Sequence, residues 1–336
     1  MSLADPDRLG PWLKAHLGID GPIATRKIAG GQSNPTFVVE HPGGRLVLRR
    51  KPPGVLLKSA HAIEREYRVQ RALTGRVPVA RPLALCEDED VLGAAFFVME
   101  HVEGDTHDDP ALPGLTPERR GAVYRGMAET LAAIHAVDLN AAGLSDFGPT
   151  GSYFDRQIGR WSKQYRASET ERVEAMEALM ARLAEAPPED DGRVTLVHGD
   201  YRIDNLIWRG DAVAAVCDWE LSTLGHPLAD VAQLVMQWQA AAGAEGRGLA
   251  GVDRRAAGIP SDDAFVAMYA EAAGRAVPDL SRHIAFSAFR MAAILQGVKR
   301  RALDGNASDP ERGLRLGRMV PELAALGLRY ADRPGR

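Results

Sequence analysis

Residues 196–208 read "LVHGDYRIDNLIW", so that His198, Asp200, Asp204 and Asn205 sit between two apolar flanks. Carboxylates crowded into a segment that both neighbours bury are costly unless they are paired or hold a metal. The next residues, "NLIWRGDAVAAVCDWE" (205–220), read as a hairpin: Leu206–Trp208 run out, Arg209-Gly210-Asp211 turn, and Ala212–Cys217 return. With Gly210-Asp211 as a two-residue turn, Asn205 faces Val216, and Asp218 emerges roughly 7 Å from Asn205 at ~3.3 Å per residue. The spacing predicts that Asp200, Asn205 and Asp218 surround one cleft with two carboxylates and an amide oxygen. Such oxygens suit Mg2+, which takes one or two carboxylates and completes its octahedron with water and substrate phosphates. Phosphoryl transfer requires this set, and a carboxylate not engaged by metal, here Asp200, can accept the acceptor's hydroxyl proton. Each residue taken singly also reads as a turn or helix cap: Asp200 and Asp204 at turns, Asn205 in an Asx-turn, Asp218 before the next helix. The conjunction favours the site.

The whole chain has room for such a site. Its 336 residues are 45% hydrophobic and 26% charged, enough for a core and for two lobes. A formal net charge of −4 with no Lys/Arg tract excludes a nucleic-acid partner from the expectations. Cys86 and Cys217 lie far apart without metal-ligand or disulfide spacing. The N-terminal "MSLADPDRLG" has no signal-peptide pattern and no run near 18 apolar residues occurs, so the expectation is a soluble, cytoplasmic protein with no membrane partner.

The two halves differ in pattern. "PTFVVEHPGGRLVLRR" (35–50) gives two β-rich runs around a Pro-Gly-Gly turn. "SAHAIEREYRVQRALTG" (59–75) has helical spacing, with Ser59 as N-cap and Gly75 as stop. "AAFFVMEHVEG" (94–104) starts as an apolar strand and turns polar at Glu100, which marks the lobe boundary. Helical spacing then dominates over 117–137, 152–186, 227–242, 261–274 and 281–303, interrupted by a strand-rich island at 194–218. Loops are expected at 105–116 and 243–260.

"HGDYRIDN" followed by "CDWE", with 18 residues from Asp200 to Asp218, resembles the aminoglycoside phosphotransferase and choline-kinase-like family, relatives of the protein kinases. The resemblance implies an α+β, two-lobed protein-kinase-like fold: a small β-rich N-lobe over 1–100, a hinge at 101–106 and a larger, mainly helical C-lobe over 107–336. It implies an ATP- and Mg2+-dependent small-molecule kinase in which Asp200 is the catalytic base, Asn205 and Asp218 are the metal ligands, and His198 braces the loop. Arg202 offsets charge on the moving phosphoryl group, Glu220 is a further metal or water contact, and Asp230 anchors the loop. "IAGGQSNPTFVVE" (28–40) resembles the nucleotide loop, with Gly30, Gly31, Ser33 and Asn34 at the phosphates. In "LVLRR" the position that carries a phosphate-binding Lys in the family is Arg49 here, with Glu66 of "IEREY" as its partner and Lys51 as the alternative cation. "FVMEHVEG" (97–104) resembles the hinge, where backbone groups around Glu100–Val102 bind the adenine edge and Val47 and Met99 line its pocket.

The acceptor is a small-molecule hydroxyl, and its identity is less legible. No acid cluster suited to a polycationic sugar is evident. "RQIGRWSKQYR" (156–166) and "FRMAAILQGVKRR" (289–301) instead present Arg156, Arg160, Arg290, Lys299 and Arg300 near apolar surface, which suits an anionic or acyl-bearing alcohol. "LRRKPPG", "RWSKQY" and "ILQGVKRR" are similar to the kinase-like domains associated with acyl-CoA dehydrogenases, which implies a hydroxyacyl or hydroxyacyl-CoA acceptor. The alternatives are an aminoglycoside or amino-alcohol kinase, a nucleotide-binding pseudokinase, and a helical partner-binding protein. Oligomeric state stays open.

Overall fold

The computed structural model describes residues 3–28, 34–52, 62–149, 151–242, 247–306 and 309–333. Along the chain the elements are α1 (Pro6–Leu17), β1 (Ala24–Lys27), β2 (Thr36–His41), β3 (Gly44–Arg50), α2 (Ile63–Leu73), β4 (Pro82–Cys86), α3 (Glu89–Leu92), β5 (Phe96–Glu100), α4 (Pro117–His135), α5 (Tyr153–Ser168) and α6 (Glu174–Glu185). There follow β6 (Thr195–Val197), β7 (Leu206–Arg209), β8 (Ala212–Val216), β9 (Thr223–Gly225), α7 (Leu228–Trp238), α8 (Asp262–Ala272), α9 (Ser281–Leu303), α10 (Pro310–Gly317) and α11 (Val320–Ala331). They divide into two compact units: Met1–His107 with Val137–Ser145 and Arg202–Ser222, and Asp108–Ala136 with Asp146–Tyr201 and Thr223–Arg336. The fold is the expected α+β, protein-kinase-like one, with a small antiparallel sheet and a mainly helical remainder.

The first unit is built on a five-stranded sheet in the order β1-β2-β3-β5-β4, every pair antiparallel. The expected hairpin forms, but its turn is tighter than the Pro-Gly-Gly expected: His41 pairs with Gly44, which leaves Pro42-Gly43 as a two-residue turn. Phe37, Val39, Leu46, Leu48, Phe96 and Val98 alternate onto a common core with Leu9, Trp12 and Leu13 of α1. Asp5 caps α1 by accepting from the Asp7 N–H, Pro6 occupies its first turn, and Gly18 at φ +67° ends it. Helix α2 begins at Ile63 with Ala62 in the cap position, and Ser59, the expected cap, lies outside the described residues. At Gly104 a Cβ would lie 2.3 Å from the Trp208 carbonyl oxygen, so only glycine lets the segment after β5 approach β7.

The second unit is organised around α9, against which α5, α6, α7, α10 and α11 pack. Its buried face of Ala285, Ala288, Ala292 and Ala293 admits close helix approach, while Ile284 and Phe289 supply bulk. The single helical stretch expected over 152–186 is two helices, α5 and α6. Gln296 of α9 donates to the Ser168 carbonyl at 2.8 Å and to the Thr170 hydroxyl at 3.0 Å, capturing polar groups where α5 ends. Helices α10 and α11 were not expected; Asp309 caps α10 by accepting from the Arg312 N–H, with Pro310 in the first turn. Among the described residues no helix is long and apolar enough to cross a membrane.

Two buried histidines in this unit set an acid sensitivity. His226 and His283 stack with ring centroids 6.0 Å apart; His283 donates through Nε2 to the Glu189 carbonyl, and its buried Nδ1 has no partner among the described residues. Burial pushes the His283 imidazole down to about 4 and lowers His226 as well. Between pH 6.5 and 4 the unfolded chain therefore binds a proton that the folded chain refuses, and stability falls as pH falls. Arg193 holds the Asp191 carboxyl below its ordinary range, so its contribution is lost only in stronger acid, outside this window. Urea titrations at pH 7 and pH 5 should show about 2 kcal/mol less stability at pH 5 from His283, and His283→Gln should remove that slope.

Candidate active site

Arg49, near the end of β3, is the hub of the first unit's polar interior. Its Nε donates to Glu66 Oε2 at 2.7 Å, its Nη2 to Asp218 Oδ1 at 2.5 Å, and its Nη1 to Thr36 Oγ1 at 3.4 Å. Glu220 Oε2 lies 3.8 Å from the same guanidinium and accepts from Asn34 Nδ2 at 3.3 Å. Strand, helix and loop each have a local reason to converge. Arg49 pairs with Thr36 in the β2–β3 ladder. Glu66 is on the buried face of α2, and Gln70, one turn on, donates to its Oε1 at 3.4 Å. Asp218 takes the left-handed conformation, φ +64° and ψ +60°, which an aspartate tolerates better than most residues at a cost of order 1–3 kcal/mol.

Burial acts against the charges of Glu66 and Arg49. It pushes the Glu66 carboxyl up to about 7 despite the pull of Arg49. Desolvation also opposes the Arg49 charge, but Glu66 and Asp218 outweigh it and raise the guanidinium above its ordinary value. Three carboxylates thus face one guanidinium, and the surplus of negative potential favours a further cation. Among the described residues no three His, Cys, Asp or Glu side chains form a ready-made metal cage. An Asp and an Asn carbonyl are nonetheless the sparse oxygen set that suits Mg2+ held jointly with phosphates.

Asn205 is brought beside the Asp218 segment by the β7–β8 hairpin. The turn is the expected Gly210-Asp211, with Arg209 opposite Ala212. The register differs by one residue: Leu206, not Asn205, faces Val216, because a bulge inserts Ala214 between the Trp208–Val213 and Ile207–Ala215 pairs. Asn205 instead accepts through its carbonyl from the Cys217 N–H at 2.8 Å, so Asp218 follows immediately after its partner rather than two residues on. Asp218 occupies a cap position before Trp219–Leu221 but makes no side-chain capping bond. Its carboxylate goes to Arg49, contrary to the capping alternative.

Asp200 belongs to the second unit, where Asp230 of α7 shapes its loop. Asp230 Oδ2 accepts from the His198 N–H at 2.7 Å and Oδ1 from the Gly199 N–H at 2.8 Å. His198, fully buried, accepts through Nδ1 from the Asp200 N–H at 3.2 Å. His135 also bonds Asp230 Oδ2, at 3.2 Å. Burial pushes the Asp230 carboxyl up, yet these partners outweigh it and hold it below its ordinary value. Asp230 anchors the loop and His198 braces it, as expected.

The remaining expected residues separate. Gly30, Gly31 and Ser33 lie outside the described residues, whereas Asn34 is buried on Glu220. Lys51 is paired to Glu64, which leaves the hub to Arg49. Glu100 ends β5, its side chain bonded to Arg81 Nε at 2.9 Å, and Val102 follows, half-buried. Val47 and Met99 are direct cross-strand partners. Arg202 is ion-paired to Asp204 at 3.2 Å. Thr36 was missed; only the strand register, which sets it opposite Arg49, identifies it.

The sheet unit with its buried cation–carboxylate pair and the helical unit with its braced Asp200 loop define a small-molecule kinase of the protein-kinase-like class. Residues 24–286 match the model of the phosphotransferase enzyme family, and the chain belongs to that family. A crystal structure from Ralstonia eutropha JMP134, assigned to the aminoglycoside phosphotransferases, is 46% identical with a TM-score of 0.88 and covers 98% of each chain. A ternary complex of aminoglycoside phosphotransferase APH(4)-Ia with ADP and hygromycin B shares the fold, at 16% identity and a TM-score of 0.65, over 97% of this chain and 99% of that one. Mouse acyl-CoA dehydrogenase family member 10 is 44% identical over 98% of this chain but 31% of its own length. Human family member 11 is 38% identical over 98% and 43% respectively. The chain thus spans well under half the length of these curated relatives.

The hub makes a stability prediction. Arg49→Met leaves Glu66 and Asp218 without their guanidinium and should cost about 3 kcal/mol in urea unfolding. Arg49→Lys, a point charge unable to span both carboxylates, should cost less. A double-mutant cycle with Glu66→Gln should return a coupling above about 1 kcal/mol.

Proposed function

We propose that the chain transfers the γ-phosphoryl group of ATP to the hydroxyl of a hydroxyacyl compound, with a hydroxyacyl-CoA as the preferred form. The observation that carries the phosphotransferase reading is the Arg49–Glu66–Asp218 bridge, which fixes a strand cation against a helix carboxylate and the loop carboxylate proposed to hold the metal. Asn205 and Asp218 are the residues that would hold Mg2+; when bound, the ion neutralises charge on the phosphates. Arg49 contacts the nucleotide phosphates, Gly30, Gly31, Ser33 and Asn34 are the further phosphate-binding residues, and backbone groups from Glu100 to Val102 receive the adenine edge. Asp200 takes the proton from the acceptor hydroxyl as its oxygen bonds to the γ-phosphorus, and the β–γ bridging oxygen leaves with ADP. Arg202 moderates the charge of the phosphoryl group.

The acyl preference is supported by the names of the curated relatives, both acyl-CoA dehydrogenase family members, and by the basic character of α5. An aminoglycoside acceptor is the second reading, favoured by the assignment of the Ralstonia structure.

Incubating the purified chain with Mg-ATP and hydroxyacyl-CoAs, aminoglycosides or choline should give acceptor-dependent ADP only with the hydroxyacyl compounds. Asp200→Asn should lower kcat by about 10²–10⁴-fold while Mg-ATP still raises Tm, and Asp218→Asn should abolish that Tm shift. Transfer to kanamycin and to no acyl substrate overturns the acceptor; absence of any Mg-ATP shift in the unmodified chain overturns the kinase reading.

A further inference from the structure

The second unit carries a shallow, solvent-open basic groove along α5, lined by Asp155, Arg156, Gly159, Arg160, Lys163 and Gln164. Arg156, Arg160 and Lys163 recur one turn apart and so share a helix face. The single carboxylate, Asp155, already accepts from the Ser152 hydroxyl at 2.7 Å. Lys163, which the sequence reading did not single out, is exposed beside Arg160.

Gly159 is the telling residue. It sits in the interior of a 16-residue helix, where glycine is the least favourable residue after proline, and no neighbour requires it: an added Cβ meets nothing within 4 Å. Glycine there leaves the helix surface between Arg156, Arg160 and Lys163 without a side chain. The groove is also linked to the Asp200 loop within the same unit. The guanidinium carbons of Arg160 and Arg290 lie 5.3 Å and 5.9 Å from the centroid of the same Trp161 ring. Arg290 in turn donates to the Gly199 carbonyl at 3.3 Å, next to Asp200, and to Gln233. Burial raises the Tyr153 phenol pKa, and Arg290, Arg156 and Arg160 all oppose that rise, so their fields overlap in one locality. The other two basic residues expected at the acceptor face elsewhere: Lys299 is paired to Glu171 and Arg300 to Asp304.

We propose that this α5 groove is an anion subsite that binds the phosphate-bearing, nucleotide end of a CoA thioester, with Arg160 and Lys163 as its main cations. The proposal rests on the hydroxyacyl-CoA reading above for its biological ligand, but the subsite is testable apart from it. Two exposed cations on one helix face, Arg160 and Lys163, with Asp155 already bonded to Ser152, match phosphate charge and would repel a polycationic aminoglycoside.

The test is equilibrium binding of CoA to the full chain saturated with Mg-AMP-PNP, so that the nucleotide site is not the one observed. Arg160→Ala with Lys163→Ala should weaken CoA binding at least about tenfold, the loss of one charge-assisted contact or more, and raising salt should weaken the unmodified protein likewise. Gly159→Glu separates folding from binding: it should raise Tm, because glutamate is the better helix former, while abolishing CoA binding. In turnover, the preference for a hydroxyacyl-CoA over the same acyl group on N-acetylcysteamine, which has no phosphate, should collapse in the double variant. No CoA binding by the unmodified chain, or equal binding by chain and variants, overturns the subsite. CoA binding that depends on Arg160 and Lys163, without transfer to any hydroxyacyl-CoA, retains the subsite and overturns the acceptor reading. Transfer to hydroxyacyl-CoA indifferent to both cations does the reverse.

Discussion

The guanidinium of Arg49 is the interaction on which the first unit's chemistry depends. It is nearly buried, and a buried charge survives only where its desolvation is offset by close, well-directed partners. Glu66 and Asp218 supply these at 2.7 and 2.5 Å, from a helix and from the loop after a hairpin. A planar fork can satisfy both at once, which a lysine ammonium on a flexible stem does less well. Arginine at this position, where the family pattern expects lysine, therefore clamps Glu66 and Asp218 together. Lys51, two residues on, is paired to Glu64 and takes no part in the Arg49–Glu66–Asp218 bridge.

A second buried charge performs the matching task in the helical unit. Asp230 spends both carboxylate oxygens on the backbone N–H groups of His198 and Gly199 and accepts from His135 besides. A carboxylate so occupied has little reason to enter chemistry. Its function is to fix the backbone from which Asp200 projects, with His198 closing the same turn from inside. In both units an ionic group with little exposure holds a more exposed aspartate segment in place: Arg49 binds Asp218, and Asp230 binds the backbone just before Asp200.

Family membership, the fold and the hubs point to phosphoryl transfer, and none of them selects an acceptor. The proposed acceptor selectivity lies in surface chemistry of the second unit, where α5 carries Arg156, Arg160 and Lys163 around a glycine that meets no neighbour. Charge that is exposed, unlike charge that is buried, contributes little to stability, so its arrangement on one face is free to be shaped by what binds there.

Local pattern alone determined a good deal. The Pro-Gly-Gly stretch at 42–44 and the Gly210-Asp211 turn were readable because turn residues constrain their own backbone, and with them came the β2–β3 and β7–β8 hairpins and the neighbourhood of Asn205 and Asp218. Long amphipathic runs declared α4, α8 and α9. What the sequence could not show is whatever depends on a partner distant in the chain. The bulge at Ala214, which slips Leu206 opposite Val216, lies in a strand whose Val216 N–H reaches the Pro78 carbonyl. The break between α5 and α6 is held by Gln296 of α9, over a hundred residues away. Thr36 joins the site only through strand register, and the choice of Arg49 over Lys51 follows from where Glu66 and Asp218 arrive. Turn chemistry and periodicity are short-range, so one segment suffices to express them; register, helix breaks and the pairing of buried charges are free-energy comparisons between alternatives that exist only once the chain has folded on itself.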